Sequence, residues 1–353
     1  AAAHGARPGF CQTRQTTITG IVKSFNSKQI IMSDQDTSPQ PARVQWLTVN
    51  EHQDGQRLDN FLAREVRGVP RTRLYRALRK GEIRVNKGRK KADYRVRTGD
   101  VVRLPPLQQA HREPVSQVPG RWRNLLEENL LFEDRDILVL NKPSGLAVHG
   151  GSGLSAGLIE CLRLLRPDEP YLELVHRLDR ETSGCLLIAR RALALRDLHR
   201  QLRSDTVDKR YLALVAGHWP KRRSFVEAPL LKNTLQSGER VVKVSREGKP
   251  SRTEFAVLER FEDCTLLEVK PVTGRTHQIR VHACHAGFPL LGDEKYGDRE
   301  RNLQARGRGL KRLFLHASAL SFEQLDGRRM EVEAPLDKQL ERYLEVLSAD
   351  QSC

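Results

Sequence analysis

His176-Arg177-Leu178-Asp179-Arg180-Glu181-Thr182-Ser183-Gly184 sets one carboxylate, Asp179, between arginines and follows it with a Thr-Ser-Gly turn. Leu174 and Val175 precede the stretch, and Leu186, Leu187 and Ile188 come after it. An acid between two apolar runs is held at the mouth of a core and not in bulk water, where it is either a structural ion-pair partner or a reactive group. Two readings compete. Asp before Thr-Ser is a common turn or helix-cap residue, because its oxygens accept backbone N–H bonds. The other reading makes Asp179 a reactive group, and the choice decides what the protein does.

The chain around this stretch has 353 residues, long for one domain and long enough for two with a sizeable core. Hydrophobic residues make up 38% and charged residues 30%, the balance of a soluble globular protein. Lys and Arg total 61 against 44 Asp and Glu, a formal charge of +17. An excess of that size implies a polyanionic partner, with nucleic acid first in line. No apolar run is long enough to span a bilayer and no amphipathic anchor stands out, so no membrane partner is expected. Cys11, Cys161, Cys185, Cys264, Cys284 and Cys353 are scattered without a CxxC, the usage of reduced thiols in a compartment such as the cytoplasm. His282-Ala283-Cys284-His285, with His277 nearby, matches no metal-ligand spacing and no second ligand pair accompanies it; no metal is expected. Gly150-Gly151-Ser152-Gly153 lacks the lysine of a phosphate-cradling loop and reads as a turn.

Toward the N-terminus, residues 1–45 are rich in Ala, Thr, Ser, Gln and Pro and read as a disordered extension. They carry no acid before Asp34, a composition compatible with an organellar transit peptide. Met32, ahead of an acidic polar stretch, is the preferred natural start. Residues 56–104 read as a compact basic unit. Leu58, Phe61 and Leu62 give one helical stripe, and Leu74, Ala77 and Leu78 a second that Gly81 ends. Ile83 to Asn86 and Val101 to Leu104 alternate like strands. Off the apolar stripe, Arg71, Arg73, Arg76, Arg79 and Lys80 crowd the second helix, and Arg84, Lys87, Arg89, Lys90 and Lys91 extend the positive block. Like charges this dense repel one another unless a polyanion compensates them.

A linker over 105–123 follows, where Pro105, Pro106, Pro114 and Pro119 rule out regular structure. Residues 124–345 read as a mixed domain. Strands are expected at 137–140, 211–215, 253–258 and 265–270, with helices at 158–165 and 192–202. Without a sustained β-α-β alternation, the fold class expected is α+β, a mainly antiparallel sheet with helices packed around it.

The string at 176–184 resembles the catalytic motif of the RluA-type pseudouridine synthases, His-Arg-Leu-Asp-x-x-Thr-Ser-Gly, with Glu181 where the family usually has Asp. Three further strings match in the family's order: Asn-Lys-Pro-Ser-Gly at 141–145, Lys-Arg-Tyr-Leu-Ala-Leu-Val at 209–215, and Gly-Arg-Thr-His-Gln-Ile-Arg-Val-His at 274–282. The basic unit resembles the S4 RNA-binding domain through Gln-Arg-Leu-Asp-Asn-Phe-Leu at 56–62, Arg-Thr-Arg-Leu-Tyr at 71–75 and Lys-Gly-Glu-Ile-Arg-Val-Asn at 80–86. The combination is similar to family members that act on large-subunit ribosomal RNA, which makes that RNA the implied partner.

The resemblance implies an isomerase that breaks the N1–C1′ bond of uridine, turns the uracil and joins C5 to C1′. An ionised carboxylate suits that chemistry, because glycosidic cleavage develops positive charge at the sugar. By resemblance Asp179 is that carboxylate, Arg280 is the cation that holds it, and Tyr211 stacks on the uracil and is a candidate to take the C5 proton. Arg177 would fill the space left by the extruded base, and Arg275 would contact phosphate or brace its loop. Arg71, Arg73, Arg76, Lys80, Arg84, Lys87 and Arg89 are the candidate RNA contacts of the basic unit. His176, His277 and His282 read as packing or hydrogen-bonding residues, and Lys142 stays open. No cofactor is implied, and no apolar seam demands a dimer, so a monomer is expected. A non-catalytic RNA-binding or ribosome-assembly factor is the alternative. A hydrolase would need a second acid–base carboxylate, for which Glu181 is the nearby candidate.

Overall fold

A computed structural model describes residues 44–66, 69–107, 120–150, 157–234 and 240–350. The extension through residue 43, most of the expected linker and Gly151 to Gly153 of the glycine run lie outside them. The N-terminal unit runs Gln45–Thr48 (β1), Leu58–Glu65 (α1), Arg71–Lys80 (α2), Arg84–Val85 (β2) and Val101–Leu104 (β3). Leu58, Phe61 and Leu62 of α1 meet Leu74, Ala77 and Leu78 of α2 in one buried cluster, so the helical stripes face each other as their spacing requires. Gly81 ends α2 at φ +70°, the left-handed cap that favours glycine. Strand β3 lies between β1 and β2, antiparallel to both. Strand β1 falls before the expected start at Gln56. Its burial alternates too weakly to be seen in the sequence, and pairing with β3 is what makes it a strand.

The larger body contains, in chain order, Gly120–Glu128 (α3), Leu130–Glu133 (β4), Ile137–Lys142 (β5), Leu158–Leu165 (α4), Glu173–Leu174 (β6), Ser183–Ala189 (β7), Ala192–Arg203 (α5) and Asp208–Ala216 (β8). It continues with Phe225–Glu227 (β9), Leu230–Thr234 (β10), Arg240–Val244 (β11), Arg252–Arg260 (β12), Cys264–Pro271 (β13) and Gln278–His285 (α6). Arg299–Gly307 (α7), Leu315–Glu323 (β14), Arg329–Glu333 (β15) and Lys338–Asp350 (α8) complete it. Helix α3 begins directly after Pro119, inside the span read as linker, because a proline bars helix before itself but not after.

The main sheet has the order β4-β5-β7-β14-β8-β13-β12-β9, with β15 added to β14 and β6 to β7. Its pairings are antiparallel except that of β7 with β14, which joins Ser183 to His316 and Gly184 to Ala317. The architecture is the expected α+β arrangement with a mainly antiparallel sheet. Strand β7 is buried throughout, with Leu186 and Ile188 in one core and Cys185, Leu187 and Ala189 in another on the opposite face. Strand β8 repeats the pattern beyond the seam: Ala213 and Val215 pack toward α6, Leu214 toward α8. Among the described residues, no helix is long and apolar enough to cross a membrane.

Candidate active site

Asp179 lies in the loop that enters β7, at the seam where β14 joins the two halves of the sheet. Four hydrogen bonds tie this loop to the turn after β5. The Lys142 ammonium, with no exposed surface, donates to the carbonyls of Pro143 (2.8 Å), Leu146 (2.9 Å) and Arg180 (3.1 Å). Gly145 N–H donates to the Arg180 carbonyl at 2.9 Å, Arg180 Nε returns a bond to the Gly145 carbonyl at 3.0 Å, and Ser144 Oγ donates to the Glu181 carbonyl at 2.7 Å. Lys142 is therefore a fastener of the loop. Burial pushes its ammonium down to about 7 and Arg312 adds to the effect, against the pull of Glu181 and Asp179. On the other side, His176 Nε2 accepts the Leu187 N–H at 3.1 Å and pins the loop to β7. Burial takes that imidazole down to about 4, so it stays neutral and able to accept.

The Asp179 carboxylate itself is 24% exposed, and among the described residues no donor reaches it within hydrogen-bond distance. Thr182 N–H bonds instead to the Asp179 carbonyl, at 3.2 Å. Capping acids elsewhere in the chain behave differently: Asp134 accepts the N–H groups of Asp136 and Ile137, and Asp298 that of Arg301. Among the described residues the Asp179 side chain therefore caps no turn.

Helix α6 and the loop after it supply the facing wall. Arg280 Nε and Nη2 reach Asp293 Oδ2 and Oδ1 at 2.7 and 2.6 Å, a bidentate pair buried on both sides. The expected direct pairing of Arg280 with Asp179 is corrected here: the fork geometry of the guanidinium is taken up by Asp293. Burial works against the Arg280 charge, but the Asp293 bonds outweigh it and the field of Asp179 adds to them. Asp293 Oδ1 also accepts the N–H groups of Lys295 and Tyr296. Among the described residues, the cationic candidate nearest to Asp179 is His277, whose Nε2 stands 3.9 Å from Oδ1.

Tyr211 projects from β8 between two core clusters. Burial raises its phenol and the charge of Asp179 raises it further, so the hydroxyl stays protonated. Arg177 is exposed and has no hydrogen bond or ion pair among the described residues. Arg275, also exposed, donates from Nε to the Pro250 carbonyl at 3.4 Å, and its N–H is held by Gln278. His282 spans Thr253 Oγ1 and the Ala228 carbonyl within the core, as its structural reading requires. Glu181 is half exposed and pairs with Arg180 at 3.6 Å.

In the N-terminal unit Arg76, Lys80, Arg84, Lys87 and Arg89 are exposed on α2 and the turn that follows, while Arg73 is partly neutralised by Glu82 at 3.1 Å. The side chain of Arg71 lies outside the described set. Asp293, Tyr296, the buried His316 and the partly buried Arg312 were not singled out in the sequence, nor was the contact that the last two make with Ser183. Ser183 Oγ accepts from Arg312 Nη2 at 2.7 Å and meets His316 Nδ1 at 2.8 Å. Since His316 Nε2 faces the Ala334 carbonyl at 3.0 Å and must donate to it, Nδ1 accepts the Ser183 proton. Gly292-Asp293 with Tyr296 was the available signal, but its meaning depends on contacts from α6, more than ten residues earlier.

A family model described as RNA pseudouridylate synthase matches residues 136–285, and an S4 domain model matches residues 56–102. The chain is 58% identical over 304 residues to a Yersinia pestis protein named ribosomal large subunit pseudouridine synthase C, covering 85% of this chain and 95% of that protein. The protein of the same name from Escherichia coli strain K12 is 55% identical over 308 residues, covering 86% and 97%. Among solved structures, human RNA pseudouridylate synthase domain containing 4 superimposes with a TM-score of 0.53 at 27% identity, covering 64% of this chain and 95% of that one.

Proposed function

The chain belongs to the RNA pseudouridylate synthase family, and from that premise we propose that it isomerises uridines to pseudouridine in large-subunit ribosomal RNA with Asp179 as catalytic carboxylate. One observation carries the assignment of the residue: a partly buried carboxylate in a loop rich in N–H groups that nonetheless has no donor on its oxygens among the described residues. The N1–C1′ bond breaks with its electron pair going to uracil, and Asp179 bonds to C1′ or stabilises its positive charge. The freed uracil turns, C5 attacks C1′, the C5 proton leaves, and N1 ends protonated. Atoms balance without oxidant, nucleotide or metal, so no cofactor is called for.

Tyr211 beside Asp179 offers a ring on which the uracil stacks. Arg280, immobilised by Asp293, contributes positive potential to the site without occupying the carboxylate. Arg177, exposed two residues before Asp179, is placed to replace an extruded base in the RNA stack. Arg275 and the exposed Arg76, Lys80, Arg84, Lys87 and Arg89 would bind the backbone, with Arg71 and Arg73 adjoining them. Cys161, Cys185 and Cys264, free and buried among the described residues, suit a cytoplasmic enzyme, and the proposed working form is a monomer.

The test is proton release from C5 of uridine-labelled large-subunit ribosomal RNA. Asp179→Asn is expected to keep RNA affinity and lose turnover by roughly 10³-fold or more. Normal turnover in that variant would remove Asp179 from the mechanism, and an inactive wild type that still binds would favour the RNA-binding alternative.

A further inference from the structure

His277 is the first residue of interest after Asp179 itself. It is the N-cap of α6 with φ +53° and ψ 20°, one of four non-glycine residues at positive φ among the described residues. A left-handed histidine costs about 1 kcal/mol or more and persists only where its surroundings over-determine it. Its surroundings are Tyr296, whose Oη lies 2.7 Å from Nδ1 with the rings edge to face, and Asp179, 3.9 Å from Nε2. Tyr296 Oη also accepts the Val242 N–H at 3.0 Å.

We propose that Tyr296 and His277 form a relay that turns the His277 Nε2–H toward Asp179, 3.9 Å away, and orients that carboxylate for the ribose. Both are positioning residues, and the proposal rests on the role given above to Asp179. The direction of the His277–Tyr296 bond follows from the carboxylate on the far side of the ring. The Val242 N–H donates to Tyr296 Oη, which keeps its own proton to give, and a neutral imidazole facing Asp179 through Nε2 carries its proton there and offers Nδ1 to the Tyr296 O–H. Nδ1 then accepts, Nε2 carries the ring proton, and that proton faces the carboxylate. The opposite tautomer would set a lone pair against a negative charge.

The groups facing His277 come from three elements: Asp179 from the loop before β7, Arg280 from α6, and Asp293, Lys295 and Tyr296 from the loop after it. Burial lowers the imidazole below its usual value. Asp179 opposes this, Arg280 and Lys295 add to it, and Asp293 opposes it. The ring is therefore neutral at pH 7 and protonates only on acidification. An imidazolium 3.9 Å from Asp179 would draw the carboxylate into an ion pair and take its charge from C1′.

The relay thus sets the acid limb of the pH–rate profile, because activity falls as pH drops through the His277 value. Tyr296→Phe removes the donor that favours neutral imidazole, and is expected to move the limb to higher pH by about half a unit or more. His277→Asn, a residue that tolerates the left-handed region, is expected to shift the limb to lower pH, because the imidazole that titrates beside Asp179 is gone. In both variants kcat should fall about 10–100-fold with KM within twofold, the pattern of a misplaced reactive group.

Either variant suffices if the other melts well below wild type. A limb within 0.2 units of wild type in a folded variant overturns the relay while Asp179 keeps its role. Retained turnover in Asp179→Asn overturns both.

Discussion

At the scale of single residues, the site depends on buried charges whose hydrogen bonds are complete. Lys142 shows this best, since one ammonium reaches three carbonyls, two in the turn after β5 and one in the Asp179 loop. Lys142→Met would fill much of the same space but leave the Pro143 and Leu146 carbonyls without a donor, at about 1 kcal/mol each, while the Arg180 carbonyl keeps the Gly145 N–H. A loss of about 2 kcal/mol and a fall in Tm of roughly 3 °C are expected in calorimetry, together with reduced turnover because one of the bonds holding the Arg180 carbonyl is lost. An unchanged Tm would show that the lysine does not fasten the loop. The same logic explains why Asp293 and not Asp179 takes the Arg280 fork. A bidentate pair uses up a carboxylate, and a carboxylate so used cannot react with a sugar.

At the scale of elements, the seam between β7 and β14 decides where chemistry can occur. It is held by only two residue pairs, one of which sets Gly184 against Ala317. Gly184 has φ +108°, and a Cβ built there would stand 2.2 Å from the Ala317 carbonyl oxygen. Only glycine lets the strands approach this closely. Gly184→Ala is expected to cost more than about 3 kcal/mol, or to yield insoluble protein, through clash and backbone strain together; soluble protein with wild-type stability would refute it. Ser183, one residue before, is fixed from β14 by His316 and from the preceding loop by Arg312, which itself pairs with Asp337. Thr-Ser-Gly thus acts as a joint that locks the Asp179 loop to the sheet, in place of the surface turn its composition suggests.

At the scale of the whole molecule, the excess of 17 positive charges has to meet RNA at a defined place. Arg64 of α1 donates to Glu173 and to the Pro170 carbonyl, both at 3.0 Å, so the N-terminal unit touches the segment that leads into the Asp179 loop. Its exposed basic face lies on α2 and the turn after it. Replacing Arg76, Lys80, Lys87 and Arg89 together by Ala is expected to weaken ribosomal RNA binding. The slope of log affinity against log salt should drop by about 0.7–0.9 for each phosphate that is no longer neutralised. Turnover at saturating RNA should stay within a few-fold of wild type. A slope that does not move would place the RNA elsewhere on the chain.

Much of this protein was legible in the sequence because it is written in local patterns. The stripes of α1 and α2, the apolar runs of β5 and β8, the glycine that ends α2 and the string around Asp179 each depend on neighbours within a few residues, where periodicity and turn chemistry operate. The reactive candidate was legible for the same reason, since a nine-residue motif carries its own context. Tertiary structure alone decided which charges meet. Arg280 turned to Asp293, His277 turned to Asp179 and Tyr296, and Lys142 became a fastener, because long side chains choose partners by distance and competing acceptors in space, and neither is encoded by spacing along the chain.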